Sequence, residues 1–200
     1  MKARRRCPGR LILAVIIALV VAACGSGAAP PQEYALEASV AAPARAVSQA
    51  DLPVIEIRPV RLPEYLDSTN LVTRRPGGQI MPSPTARWGE RLSVGAGRFM
   101  VMSLASQLPN AAVTAMPLEQ SAWQVSIDLD AFEPRPDGTC VLAGRWALRN
   151  ARRGVTQSER VALSVPIGGD NDEQVVAAMT RVLGELSERI AAAIRSELSR

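Results

Sequence analysis

Between residues 123 and 165, apolar and polar positions alternate with a period of two. Trp123, Val125, Ile127, Leu129 and Ala131 interleave with Gln124, Ser126, Asp128 and Asp130. Strict alternation predicts a strand with one face buried and the other in water. Glu133–Gly138 follows as a turn, with Asp137-Gly138 supplying the residues a tight reversal needs. Thr139 to Arg149 then places Cys140, Leu142, Gly144, Trp146 and Leu148 on one face. Val155 to Val165 does the same with Val161, Leu163 and Val165, opposite Arg160, Ala162 and Ser164. Three such strands joined by short links predict an antiparallel meander.

The period lengthens on the C-terminal side. Val175 (or Val176), Met179, Leu183, Leu186, Ile190, Ile194 and Leu198 recur at helical spacing and predict one apolar stripe. Asp170 or Asn171 can cap that helix, and Asp172 and Glu173 suit its positive end. A second helix is predicted within Arg87–Leu108 from Leu92, Ala96, Phe99 (or Met100), Leu104 and Leu108. Gly95 and Gly97 weaken it by up to about 1 kcal/mol each relative to alanine, unless they permit close packing. Pro109-Asn110 ends it.

Upstream the pattern is less regular. Glu33–Val40 reads as a first strand and Ala41–Asp51 as a loop. Pro53–Val60 is a strand by its β-branched content, with Ile55 and Ile57 on one face and Glu56 and Arg58 on the other. Leu71–Arg74 is a further short strand. Arg75–Glu90, broken by prolines and glycines, reads as hairpin turns and loops. The expected fold is α+β: a single domain, mainly antiparallel sheet, with two amphipathic helices packed on one face. Its core would set Trp123, Ile127, Leu129, Leu142 and Trp146 against Leu183, Leu186 and Ile190.

Residues 1–23 stand apart. Lys2, Arg4, Arg5, Arg6 and Arg10 precede an apolar run from Leu11 to Ala23. A bilayer-crossing helix needs about 20 apolar residues, and this run is shorter. Positive front, short apolar middle and small residues at the end describe a secretory signal peptide. The ending Val21-Ala22-Ala23-Cys24 looks like a bacterial lipobox, in which Cys24 is acylated and begins the mature chain. The alternative is an ordinary signal peptide, with Cys24 incidental. Several acyl chains would hold the protein firmly, because each buried methylene contributes about 0.8 kcal/mol. Gly25, in place of Asp, favours the outer membrane by resemblance to lipoproteins of Gram-negative bacteria. The expected organisation is a signal peptide over 1–23, a lipidated N-terminus and flexible tether over 24–32, and one domain over 33–200.

That reading changes the charge picture. Five of the 23 Lys and Arg, and none of the 19 Asp and Glu, precede Cys24. The chain from Cys24 onward therefore carries 18 basic and 19 acidic residues, a net charge of −1. No basic run of the kind that binds nucleic acid remains. The three cysteines reduce to one, since Cys7 leaves with the leader and Cys24 is lipidated. Cys140 then has no disulfide partner and reads as a small apolar filler.

Composition also excludes chemistry. There is no histidine, and the sole lysine lies in the leader. Ser-His-Asp and Cys-His sites, Ser-Lys dyads and lysine Schiff bases are absent from the mature chain. No His/Cys zinc cluster and no phosphate-binding glycine loop is present. Asp128 and Asp130 share a strand face roughly 7 Å apart, a spacing that could hold a cation but that equally describes a solvated face. Asp170, Asn171 and Asp172 lack the rest of a calcium loop, so capping explains them better. No catalytic, cofactor or metal residue is assigned.

The stretch Pro53–Arg74, PVIEIRPVRLPEYLDSTNLVTR, resembles the PqiC-like family, the ABC-type transport auxiliary lipoproteins. Leu62-Pro63-Glu64-Tyr65-Leu66-Asp67 is its most specific piece. The lipobox, Tyr34-Ala35-Leu36, Trp88 before the first helix, the paired strands around DGTCVLAGRWAL and the amphipathic C-terminal helix fit the same pattern. The chain departs from it at Glu33-Tyr34, where members often carry two aromatics. The resemblance implies a non-enzymatic, cofactor-free lipoprotein of the outer membrane, facing the periplasm. It implies service to an MCE-type lipid transport system, with an inner-membrane permease and ATPase and a tunnel-forming MCE protein as partners. It is compatible with a homo-oligomer. The competing expectations are a lipoprotein that itself carries lipid in a sheet–helix groove, and an envelope structural or assembly lipoprotein. Within the motif, Pro63, Glu64, Tyr65 and Leu66 form the candidate partner contact. The alternative is that Tyr65 and Leu66 plug the domain's own core.

Overall fold

The longest elements are the ones the alternation marks. In the computed structural model, which describes residues 30–38, 52–117 and 122–200, Trp123–Pro134, Thr139–Asn150 and Gly154–Pro166 form an antiparallel meander. In chain order the strands are β1 (Gln32–Tyr34), β2 (Val54–Ile57), β3 (Asn70–Arg74), β4 (Ile80–Trp88), β5 (Ala112–Thr114), β6 (Trp123–Pro134), β7 (Thr139–Asn150) and β8 (Gly154–Pro166). The helices are α1 (Leu92–Gln107) and α2 (Asp172–Leu198). One sheet runs β5-β2-β6-β7-β8 and a smaller one β1-β4-β3. The fold class is α+β, as the pattern predicts. Both sheets are mixed, because β2 runs parallel to β5 and to β6, and β1 runs parallel to β4.

The core lies between the large sheet and the helices. Ile127, Leu142, Trp146, Leu183, Leu186 and Ile190 are each at most 1% exposed. Asn171 caps α2, its side chain accepting from the Gln174 backbone N–H at 2.8 Å. Asp172, in the first turn, accepts from Ser83 at 3.0 Å and Thr85 at 2.5 Å, tying α2 to β4. The helices meet through Gln107 Nε2 donating to Ser187 Oγ at 2.9 Å. Among the described residues no helix is long and apolar enough to cross a membrane.

Several expectations are corrected. The first strand spans only Gln32–Tyr34, and residues 35–38 form no regular element. The segment expected as turns and loops contains β4. Its Pro82 and Pro84 look like strand breakers, yet they lie in the half of β4 that β1 does not pair with, so among the described residues one edge there is unpaired and the missing N–H groups are tolerated. The alternation in β6 also breaks. Leu129 pairs with Gly144 and Ala131 with Ala143, so Asp130 is an extra, bulged residue. The bulge turns Ala131 to the other face and brings Phe132, opposite Leu142, into the core at 0% exposure. Leu198, at the end of the predicted stripe, is 36% exposed because the last turn of α2 borders an open cleft beside Pro53 and Leu108. Ala41–Asp51 and Cys24 lie outside the described residues.

Candidate functional site: the Leu62–Asp67 loop

Beyond β2 the chain keeps following β6. Arg58 N–H donates to Val125 O at 2.9 Å, Arg61 N–H to Ile127 O at 3.0 Å, and Leu129 N–H back to Arg61 O at 2.9 Å. Pro59 and Pro63 stop this from becoming a long ladder, because neither has an N–H to give. At Pro63 the chain turns. The Pro63 carbonyl accepts from Leu66 N–H at 2.9 Å and Asp67 N–H at 3.1 Å. One compact turn thus carries the whole motif.

The turn sorts the four candidate contact residues. Leu66 is fully buried in the core. It is withdrawn from the candidate contact, since an apolar side chain at 0% exposure has no surface to offer a partner. Pro63 and Tyr65 are half-buried, and Glu64 is exposed. The plug reading therefore describes Leu66, and the exposed edge of the turn is Pro63, Glu64 and the rim of Tyr65.

Tyr65 is held by a charged network. Its hydroxyl accepts from Arg74 Nη2 at 2.7 Å, and the Arg74 guanidinium lies 5.4 Å from the ring centroid. The same guanidinium donates through Nε to Glu133 at 2.5 Å. Arg135 pairs with Glu133 at 3.1 Å. Glu133 is 0% exposed, a burial the two arginines offset. Burial first, then the Glu133 charge, pushes the Tyr65 phenol up. The Glu133 hydrogen bond holds Arg74 up in turn. β3, β6 and the turn are thereby locked together around one carboxylate.

The last motif residue anchors the helix. Asp67 accepts from Arg91 at 2.5 Å and from Ser93 N–H at 3.3 Å, so it caps α1 from outside, where Arg91 itself offers no side-chain cap. Burial works against the Asp67 carboxylate. The hydrogen bonds from Arg91 and Ser93 outweigh it and hold the group below its usual range.

The other sequence candidates fall into place. Asp128 is ion-paired with Arg61, and Asp130 is the exposed bulge residue. No group of three or more His, Cys, Asp or Glu that could hold a metal occurs among the described residues. Cys140 is fully buried, and burial pushes its thiol up to about 12. Two apolar clefts lie at the surface, outside the sheet–helix core. One, of about 400 Å³, is lined by Ile57, Pro59, Val60, Val94, Gly97 and Met102. The other, of about 740 Å³, runs past Pro53, Leu108, Pro109 and Leu198. The sequence did not single out Arg74, Glu133 or either cleft: Glu133 reads there as the start of a turn, whereas β6 runs on through Pro134 and carries it to Arg74.

The Leu62–Asp67 turn thus sits on an α+β domain of two mixed sheets and two helices. Residues 34–191 match the family model for the ABC-type transport auxiliary lipoprotein component, and the chain belongs to that family. It is 23% identical over 188 residues to the intermembrane transport lipoprotein PqiC of Escherichia coli K12, an alignment covering 94% of this chain and 97% of the relative. The similarity to PqiC of Shigella flexneri is the same. Among solved structures, an uncharacterised protein superposes with a TM-score of 0.66 at 23% identity, covering 70% of this chain and 91% of the other. A Xanthomonas campestris protein superposes at 0.64 and 18% identity, covering 80% and 92%. These two support the fold.

Proposed function

We propose that this chain is a non-enzymatic lipoprotein of the outer membrane, anchored through acylated Cys24 and facing the periplasm. There it docks the periplasmic tunnel protein of an MCE-type lipid transport system, whose permease and ATPase sit at the inner membrane. Residues 1–23 are the signal peptide, 24–32 the lipidated N-terminus and tether, and 33–200 the working domain. The observation that carries this reading is the family match together with similarity along nearly the whole chain to an intermembrane transport lipoprotein. Asp128 pairs with Arg61, Asp172 accepts from Ser83 and Thr85, and Asp130 and Asp170 are exposed. Pro63, Glu64 and Tyr65 form the contact edge, with Leu66 and Asp67 fixing it to the domain.

A second reading has one observation of its own. The cleft along α1 is apolar and open, and its volume of about 400 Å³ suits a single acyl chain. In that reading the domain itself handles lipid.

The contact edge is tested by Tyr65→Ala in the full-length protein. Binding to the MCE protein should weaken at least tenfold, beyond what the loss of folded fraction explains, since tyrosines often carry interface energy. A destabilised variant whose folded fraction binds normally would sink the contact edge.

A further inference from the structure

The arginines of this domain are distributed unevenly. Those of the other elements mostly meet carboxylates, as Arg61 meets Asp128, Arg87 meets Glu33, Arg91 meets Asp67 and Arg98 meets Glu90. On the β7–β8 hairpin, Arg145, Arg149, Arg152, Arg153 and Arg160 are all exposed, and none has an ion pair among the described residues. Arg145 stands directly opposite Arg160 across the strands. Like charges facing each other in this way are destabilising. Asp128 faces Arg145 from β6, but its carboxylate is already engaged by Arg61. Arg149 lies four residues along the same face of β7 and pairs with Val155, which is 62% exposed. Arg152 and Arg153 complete the stripe in the turn, whose shape is fixed by Asn150 accepting from both of their backbone N–H groups, at 2.9 and 3.2 Å.

Arg149, Arg152 and Arg153 lie at one end of the β7–β8 hairpin, and the Arg145–Arg160 pair lies near its middle. The turn at the other end holds Asp137, and α2 begins there with Asp172 and Glu173. β7 separates the two ends by roughly 36 Å at about 3.3 Å per residue. β1 lies with the acidic end: it pairs with Ala86–Trp88 of β4, whose Ser83 and Thr85 bond to Asp172.

We propose that the β7–β8 hairpin is a docking surface for a protein face rich in carboxylates, engaged by the stripe Arg145, Arg149, Arg152, Arg153 and Arg160. The partner neutralises the like-charge crowding that no carboxylate among the described residues compensates. Charged rims of this kind chiefly steer encounter, so their effect falls with added salt. The surface is distinct from the Leu62–Asp67 edge, and its test separates it from the tunnel-docking reading.

The test uses the full-length acylated protein in detergent micelles with three probes: a fluorescent polyglutamate peptide, the purified MCE protein of the same transport system, and phosphatidylcholine vesicles with and without phosphatidylglycerol. Arg152→Glu/Arg153→Glu should weaken peptide binding about tenfold at low salt. The control pair Arg75→Glu/Arg87→Glu, exposed on β3–β4, should change it by less than about twofold, since rim charges act locally. Equal loss in both pairs would reduce the effect to net charge and overturn the proposal. So would recruitment by phosphatidylglycerol vesicles that the hairpin pair abolishes while peptide binding stays unchanged, which would make the stripe a membrane surface. If the wild type fails to bind the MCE protein while the peptide result holds, the tunnel-docking function falls and this surface stands. If the MCE protein binds the hairpin variant and the wild type equally well at low salt, and the peptide does too, this surface falls and the docking function stands.

Discussion

The same substitution, glycine to alanine, should have opposite effects at two positions of this domain. At Gly144 a Cβ would sit 2.2 Å from the Asp128 carbonyl oxygen and 2.7 Å from the Leu129 Cα. Real Cβ contacts essentially never fall under 3.0 Å, and both obstructing atoms are backbone of β6, so no side chain can swing aside. Relief requires β6 to move where it pairs with β7 and where Asp130 is bulged. Overpacking a filled core costs about 1–3 kcal/mol, and a backbone obstacle puts Gly144→Ala at the upper end, about 3 kcal/mol. At Gly97, in the middle of α1, an added Cβ meets nothing within 4 Å. Alanine there gains up to about 1 kcal/mol of helix propensity. For a domain of this size about 1 kcal/mol moves Tm by about 2–4 °C. Gly144→Ala should therefore melt about 6–12 °C below the wild type and Gly97→Ala about 2–4 °C above it, in thermal scans followed by circular dichroism and checked by urea titration. If Gly144→Ala melts within about 2 °C of the wild type, the close approach of β6 and β7 is wrong. If Gly97→Ala is destabilising, α1 does not stand open at that point.

Other outcomes follow from the groups whose titration is displaced. The folded Asp67 carboxyl lies below its ordinary 3.8, so its contribution to stability is complete above that value and is lost as pH falls through the depressed folded value. The stability gap between wild type and Asp67→Asn should narrow as urea titrations move from about pH 6 toward about pH 3; a constant gap would refute the cap on α1. Cys140, buried and with its thiol pushed up to about 12, should resist maleimide near about pH 8 in the native protein and react on unfolding. Labelling of the native thiol at the rate of an exposed cysteine would place it on the surface.

The parts of the fold that were legible in the sequence are those whose signal is local. β6, β7, β8 and α2 each bury one face over many residues, so their periods are read directly from the chain. β4 was not legible, because its prolines mark breaks and only the position of β1 shows that they fall on an open edge. β5 is three residues long and pairs in parallel with a strand far away in sequence, which no local pattern encodes. The bulge at Asp130 defeated the alternation in β6, hiding both the buried Phe132 and the turning of Glu133 toward Arg74. In the Leu62–Asp67 loop, residue types alone support two readings of one motif. The structure assigns Leu66 to the core and leaves Glu64 outside, a division set by the turn at Pro63 rather than by residue type. The arginine stripe is spread over two strands and a turn, and becomes a surface only once the strands are paired.

The central claim is that an anchored domain recruits a tunnel protein. Flotation of liposomes carrying the full-length acylated protein, mixed with the purified MCE protein of the same system, tests it most directly. The account predicts that the MCE protein floats with liposomes bearing the wild type. It should stay at the bottom of the gradient with Cys24→Ala, whose folded domain no longer enters the bilayer. An MCE protein that remains at the bottom in the presence of wild-type liposomes, or a Cys24→Ala protein that floats like the wild type, would contradict it.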